Sequence, residues 1–281
     1  MQEKTNIPLD VPFNMKEDYL LNFKKATEGK GKMLIIAGDQ RIEHLNADFY
    51  GKNIHPDDAD PEHLFRIAES AGVGVLACQL GLISKYGSDY RGLRYLVKLN
   101  SKTNLSKAEP FSEMLTTVKE VNDFKKETGL SVVGVGYTLY LGSKRESEML
   151  KTAADVVREA HGNGLIVVLW AYPRGKAVKD ETDPHLIAGA VGVAVSLGAD
   201  FVKVNCPKEN FFKEVGKMSS KTGILCAGGE AVEKEKFLET CKKEMELGGA
   251  GIAVGRNIHQ KGLKEAVDTV KALHQIIFKN A

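Results

Sequence analysis

Eight short apolar runs, each ending near Gly, Asp, Asn or Pro, pace this chain and constrain its fold more than any other feature. They are Met33–Asp39, Gly72–Gln79, Tyr95–Asn100, Ser131–Thr138, Leu165–Tyr172, Asp200–Asn205, Gly223–Gly229 and Gly251–Arg256. All are rich in Val, Ile and Leu and nearly continuous in hydrophobicity. Strands that are covered by helices read this way. Helical patterns separate several of them. One such pattern carries Ser147 as the expected N-cap, with Gly162 or Gly164 as the stop. Another, Pro184 to Gly198, is apolar nearly all round and suits packing on a sheet. Strand–helix alternation with eight strands predicts an α/β chain folded as a (β/α)8 TIM barrel.

The segment Met15–Thr27 predicts an extra helix before the first strand. The link between the first two strands is long, and no linker, repeat or low-complexity segment interrupts the chain. Barrels of roughly 250 residues are single domains, so residues 1–281 are expected to form one. The competing architecture, an open doubly wound sheet, wants a glycine-rich turn after the first strand. Here that turn is Gly38-Asp39-Gln40-Arg41, which is no dinucleotide fingerprint.

Composition narrows the partners. A formal net charge of +2 supplies no global field for nucleic acid or an anionic membrane. The N-terminal stretch is polar and lacks a signal-peptide core. The longest small-apolar run has 14 residues, too short to span a bilayer. Cys78, Cys206, Cys226 and Cys241 include no C-x-x-C pair. Unpaired thiols and a cytoplasmic setting are therefore expected.

Barrel chemistry is placed at the C-terminal ends of the strands. Those ends hold Asp39, Gln79, Lys98, Asn100, Tyr137, Trp170, Tyr172, Lys203, Asn205, Gly228, Gly229, Gly255 and Arg256. Side chains alternate across a strand. Val202 and Val204 then suit the helix layer, while Phe201, Lys203 and Asn205 look into the barrel. A lysine in a partly dry interior loses affinity for its proton. A neutral amine attacks carbonyls and forms a Schiff base. The plainer alternative is an ion pair between Lys203 and Asp39. Lys98 has the same inward pattern, and alternation does not choose between the two lysines.

Trp170 and Tyr172 share the inner face of the fifth strand, as core or as chemistry. A tyrosine there can exchange protons with a reacting group. Asp39 either orients a substrate hydroxyl or caps the next turn. Glycines after the last two strands, Gly228, Gly229 and Gly255, let backbone approach a phosphate, and Arg256 adds a charged clamp. Arg174 and Arg41 are the next candidates for phosphate. His44, His55 and His63 lie in one loop with Glu43, Asp57 and Asp58, but their spacing matches no ligand motif. They read as surface histidines, and no metal or cofactor is expected. A metal-dependent aldolase or isomerase would want histidine at the strand ends, where there is none. A non-catalytic phosphosugar-binding barrel would need neither Lys203 nor Tyr172.

The combination of "AGDQ", "WAYPRG", "DFVKVN", "CAGG" and "VGRN" at strands one, five, six, seven and eight resembles the archaeal-type class I fructose-1,6-bisphosphate aldolases. These belong with the Schiff-base deoxyribose-phosphate and tagatose-bisphosphate aldolases. The resemblance spans about residues 33–275. It implies Lys203 as the Schiff-base lysine, Tyr172 as acid/base, Trp170 and Asp39 as active-site residues, and Gly228, Gly229, Gly255 and Arg256 as phosphate loops. Lys98 and Arg174 join the substrate-binding set. It further implies a phosphorylated sugar substrate and a homo-oligomer, with a decamer as one form. Asp39-Gln40-Arg41 departs from the Asp-His-Gly common in that family, and His44 is a candidate substitute. A related dideoxy-hexulosonate synthase is the alternative activity. Trp170 favours the bisphosphate aldolase.

Overall fold

A computed structural model describes residues 6–106, 108–207, 211–219 and 221–279. Eight parallel strands close into a barrel. In chain order they are Met33–Ala37, Val75–Cys78, Arg94–Lys98, Ser131–Leu141, Ile166–Pro173, Phe201–Val204, Gly223–Ala227 and Gly251–Val254. Each pairs with its sequence neighbour, and the first pairs with the eighth through Met33–Gly251 to Ile36–Val254. All eight apolar runs thus become strands, and the architecture is a (β/α)8 barrel.

Two shells of apolar side chains hold it. Met33, Ile35, Val75, Leu96, Val168, Phe201, Leu225 and Ala253 fill the barrel interior. The opposite faces of the same strands, with Val202 and Val204 among them, pack on the helix ring. The apolar helix Pro184–Ser196 covers the fifth and sixth strands, with Asp183 accepting from the His185 N–H as its N-cap.

The extra helix forms as Lys16–Thr27 and stops up the N-terminal end of the barrel. Phe23 stacks on Phe201 at 5.8 Å. Tyr19 donates to Asp200, whose carboxylate also accepts from the Val167 N–H at 2.7 Å and faces buried His161 at 3.2 Å.

Some local expectations fail. Helix Glu146–Gly162 starts one residue before Ser147, so Ser147 sits inside the first turn and Arg145 takes the cap position without a side-chain bond. The fourth strand runs on to Leu141, and a short antiparallel pair, Asn100–Ser101 with Glu113–Met114, precedes it. Cysteine holds the larger surprise. Cys206 and Cys226 form a disulfide, while Cys78 and Cys241 are free and buried. Their separation of 20 in sequence hides the contact. Parallel pairing sets Val204 beside Cys226, so Cys206 arrives just past the strand end next to it.

Candidate active site

The strand ends enclose a cavity of about 160 Å³ at the C-terminal face. Its walls include Asp39, Trp170, Tyr172, Arg174, Lys203, Asn205, Gly228, Gly229, Gly255 and Arg256. Most of the residues expected from strand ends therefore meet in one place.

Lys203 is 5% exposed, yet it belongs to the cavity wall. Its ammonium lies 5.1 Å from the centre of the Trp170 ring. Burial lowers its proton affinity, opposed by Asp39 and Glu43 and aided by Arg256. Lys98 sits 5.4 Å from the same ring, and burial brings it down to about 8. Desolvation alone therefore does not distinguish the two amines. Position does: Lys98 is outside the cavity wall, and its Nζ donates to the Asn100 carbonyl at 2.8 Å and to Asn100 Oδ1 at 3.0 Å. Asn100 is itself fully buried and bonded to Ser112 O and to both backbone groups of Thr138.

The ion-pair alternative for Lys203 is not realised. Asp39 Oδ1 is buried without a hydrogen-bond partner among the described residues. The Trp170 Nε1–H is in the same condition. Buried polar groups are ordinarily paired, and Gln40 Oε1 is a third such atom in the same cavity wall. Trp170 keeps its place because Gly136 has no side chain. A Cβ there would come within 2.3 Å of the indole.

Tyr172 is half-buried beside the same carboxylates. Burial first, then the charges of Asp39 and Glu43, hold its phenol well above the ordinary value. The hydroxyl therefore keeps its proton near neutral pH. Arg174 is held by Glu181 at 2.9 Å and lies 3.6 Å from Glu43.

Glu43 and His44 were missed by the strand-end reading. The short helix Gln40–Glu43 carries both into the cavity wall, so histidine does reach the site from beyond a strand end. The signal was the four-residue spacing of Asp39 and Glu43, one helical turn apart. The loop histidines point to separate partners: His44 pairs with Asp48 at 2.9 Å, His55 accepts from the Asp57 N–H, and His63, expected at the surface, is buried against Lys261 O. Arg41 is also spoken for, over the Phe49 ring and on Asp58 O, outside the cavity wall.

The glycine loops need two amendments. Gly228 lines the cavity, but its N–H donates to Ala253 O at 2.9 Å, whereas Gly229 makes no such bond among the described residues. A Cβ on Gly255 would meet Gln40 Nε2 at 2.2 Å, so the space its missing side chain leaves is taken by Gln40. Asn257 ties the two loops together. Its amide donates to Gly228 O and Glu230 O at 2.7 and 2.9 Å and accepts from the Val232 N–H at 3.0 Å. Arg256 has only a long contact, 3.9 Å from Nε to Asp48, and faces the cavity.

A family model for DeoC/LacD aldolases matches residues 33–261. The chain belongs to the DeoC/LacD aldolase family. A Methanocaldococcus jannaschii relative, a fructose-bisphosphate aldolase/6-deoxy-5-ketofructose 1-phosphate synthase, is 51% identical over 276 residues, spanning 96% of this chain and 89% of that protein. Among solved structures, a fructose-bisphosphate aldolase from Slackia heliotrinireducens superposes with a TM-score of 0.95 at 47% identity, covering 100% of this chain and 92% of its own. An archaeal fructose-1,6-bisphosphate aldolase, its catalytic lysine covalently bound to the carbinolamine intermediate of the substrate, gives 0.81 at 34% identity, covering 92% and 99%. In this DeoC/LacD aldolase the sixth strand sets Lys203 in the cavity wall, two residues before Asn205.

Proposed function

We propose that the chain is a class I aldolase that cleaves fructose 1,6-bisphosphate to dihydroxyacetone phosphate and glyceraldehyde 3-phosphate and catalyses the reverse condensation. The observation that carries this reading is a buried primary amine, Lys203, in a cavity shared with an unpartnered carboxylate, Asp39, and a neutral phenol, Tyr172. Its solved neighbour with a lysine-bound carbinolamine supports the same chemistry.

Neutral Lys203 attacks the C2 ketone of the open-chain sugar. Loss of water leaves a protonated iminium, which withdraws electrons from C3. A base in the cavity takes the proton of the C4 hydroxyl, the C3–C4 bond breaks, and the aldehyde product departs. The remaining enamine takes a proton at C3 from Tyr172, and hydrolysis frees the amine. The iminium polarises the carbonyl carbon as a metal would in other aldolases. Asp39 orients substrate hydroxyls. No cofactor enters this route.

The test is direct. Fructose 1,6-bisphosphate should yield both triose phosphates in equal amounts, with turnover unchanged by a chelator. Loss of turnover with EDTA would replace this reading with a metal-dependent one. A second reading has its own support, the double activity in the name of the Methanocaldococcus relative. A hexose product phosphorylated on C1 alone arises if the same enamine is captured by an unphosphorylated acceptor. Supplying such an acceptor with fructose 1,6-bisphosphate distinguishes the two.

Gly229 and Arg256 grip the phosphate next to the ketone, with Asn257 holding their loops in register. Arg256→Ala should raise KM for dihydroxyacetone phosphate by roughly 10- to 150-fold, the worth of a charge-assisted contact of about 1.5–3 kcal/mol. Unphosphorylated dihydroxyacetone should be nearly indifferent. Equal loss for both would make Arg256 a structural residue. Leu9, Phe13 and Leu21 are exposed apolar side chains near the N-terminus. They support assembly as a homo-oligomer; a decamer and a cytoplasmic setting are what the resemblance to the aldolase family implies. A monomeric mass in sedimentation would remove that part. No helix among the described residues is long and apolar enough to cross a membrane.

A further inference from the structure

We propose that Cys206 and Cys226 form a reversible thiol–disulfide site through which a low-molecular-weight disulfide tightens the catalytic cavity. This inference rests on the aldolase reading for its effect on activity, but not for the site itself.

Three observations converge. The two sulfurs are bonded, and their Cα atoms are 5.3 Å apart, inside the range that a disulfide needs without moving backbone. The bridge lies where the sixth and seventh strands leave the barrel. Cys206 follows Asn205 and stands three residues after Lys203, while Cys226 precedes Ala227, Gly228 and Gly229, all cavity-wall residues apart from the cysteines themselves. The regular pairing of the two strands ends at Val204 and Cys226. Beyond that point the disulfide is a covalent rung that keeps Asn205 and the Gly228 loop at a fixed separation.

The third observation is Glu244, on the helix Lys234–Glu246 that follows the seventh strand. Its carboxylate and both sulfurs lie within 4.8 Å of one another. Burial raises this carboxyl to about 7, so it holds or releases a proton near neutrality. A buried thiolate leaving the disulfide needs such a donor beside it. Neither Glu244 nor the cysteines take part in the lysine chemistry.

The steps balance. A thiolate of an external dithiol attacks Sγ of Cys206, which is partly exposed, and the S–S bond breaks with its electron pair going to the Cys226 sulfur. Glu244 protonates that thiolate. The second external thiol then displaces Cys206 from the mixed disulfide and completes a two-electron reduction. In the other direction the Cys206 thiolate attacks a small disulfide RSSR and expels one RS⁻. Cys226 then attacks Cys206 Sγ, its proton passes to Glu244, and the second RS⁻ leaves. Two RSH are the reduced product.

The experiment uses the full chain equilibrated with glutathione disulfide or with dithiothreitol, then alkylated with iodoacetamide and peptide-mapped. Cys206 and Cys226 should be protected in the first and labelled in the second. In the same samples the reduced protein should show a KM for fructose 1,6-bisphosphate higher by about tenfold, equivalent to one lost positioning hydrogen bond, with kcat changed less. Cys206→Ser should give the reduced value in both buffers, and Cys226→Ala checks the partner. Labelling of both cysteines in both buffers overturns the proposal, and so does a labelling switch with kinetics unchanged. Stoichiometric zinc released by a thiol reagent overturns it too, because the cluster would then be a metal site. If the labelling switches while neither form cleaves the bisphosphate, the thiol site stands and the aldolase reading falls.

Discussion

Replacing Lys203 with methionine should abolish cleavage and the borohydride-stable adduct together. Without the amine no carbinolamine forms, and every later step depends on it. The loss in turnover is expected on the order of 10⁴- to 10⁶-fold, the scale seen when a covalent nucleophile is removed and binding groups remain. Lys203→Arg should fare no better, because a guanidinium keeps its charge and cannot act as a neutral nucleophile. The informative control is Lys98→Met. Lys98 is as buried as Lys203 and has its own depressed proton affinity, so proton affinity alone would nominate either. Its donors, however, are spent on Asn100 behind the cavity wall. Borohydride with dihydroxyacetone phosphate should therefore still mark the peptide containing Lys203 in the Lys98 variant. A label on Lys98 with Lys203 untouched reverses the assignment.

Tyr172→Phe should cut cleavage by roughly two to four orders of magnitude, the range for loss of a general acid. The ring remains, so packing beside Trp170 and Arg174 is preserved. Only the hydroxyl goes. Because burial and the neighbouring carboxylates keep that hydroxyl protonated, the contribution expected of it is proton delivery to the enamine and not nucleophilic attack. Trapping at Lys203 should survive, since iminium formation precedes the step that Tyr172 serves. Near-normal turnover in the variant would reduce Tyr172 to a packing residue, and loss of trapping would move its role earlier in the sequence of steps.

The barrel was legible because its signal is repeated eight times, and the period-two alternation of a strand assigned Lys203 and Trp170 to the interior. What escaped were contacts made between elements. Cys206 and Cys226 look unrelated until two strands lie side by side. Glu43 and His44 enter the cavity from a helix too short to show periodicity. Gly255 reads as an opening for phosphate, yet the neighbour that needs the space is Gln40, from the other end of the chain. The antiparallel pair at Asn100 and Met114 has only two residues per strand, below what any pattern can reveal. Between Lys98 and Lys203 the alternation was silent, and a hydrogen-bond inventory separates them.

The helix Lys16–Thr27 is synthesised before every strand it rests on. Its partners are Gly164, Asp200 and Phe201, and the Tyr19–Asp200 contact spans 181 positions. Its last partners come with the sixth strand, after the first, fourth and fifth strands that it also packs on. Closure of the barrel waits longer still, because the first strand must hold an open edge until the eighth arrives beside it. A ribosome-bound fragment ending before Gly251 therefore leaves the first and the seventh strand each with an unpaired edge. For this chain the hazardous interval of biogenesis is the one before the eighth strand arrives to close the ring.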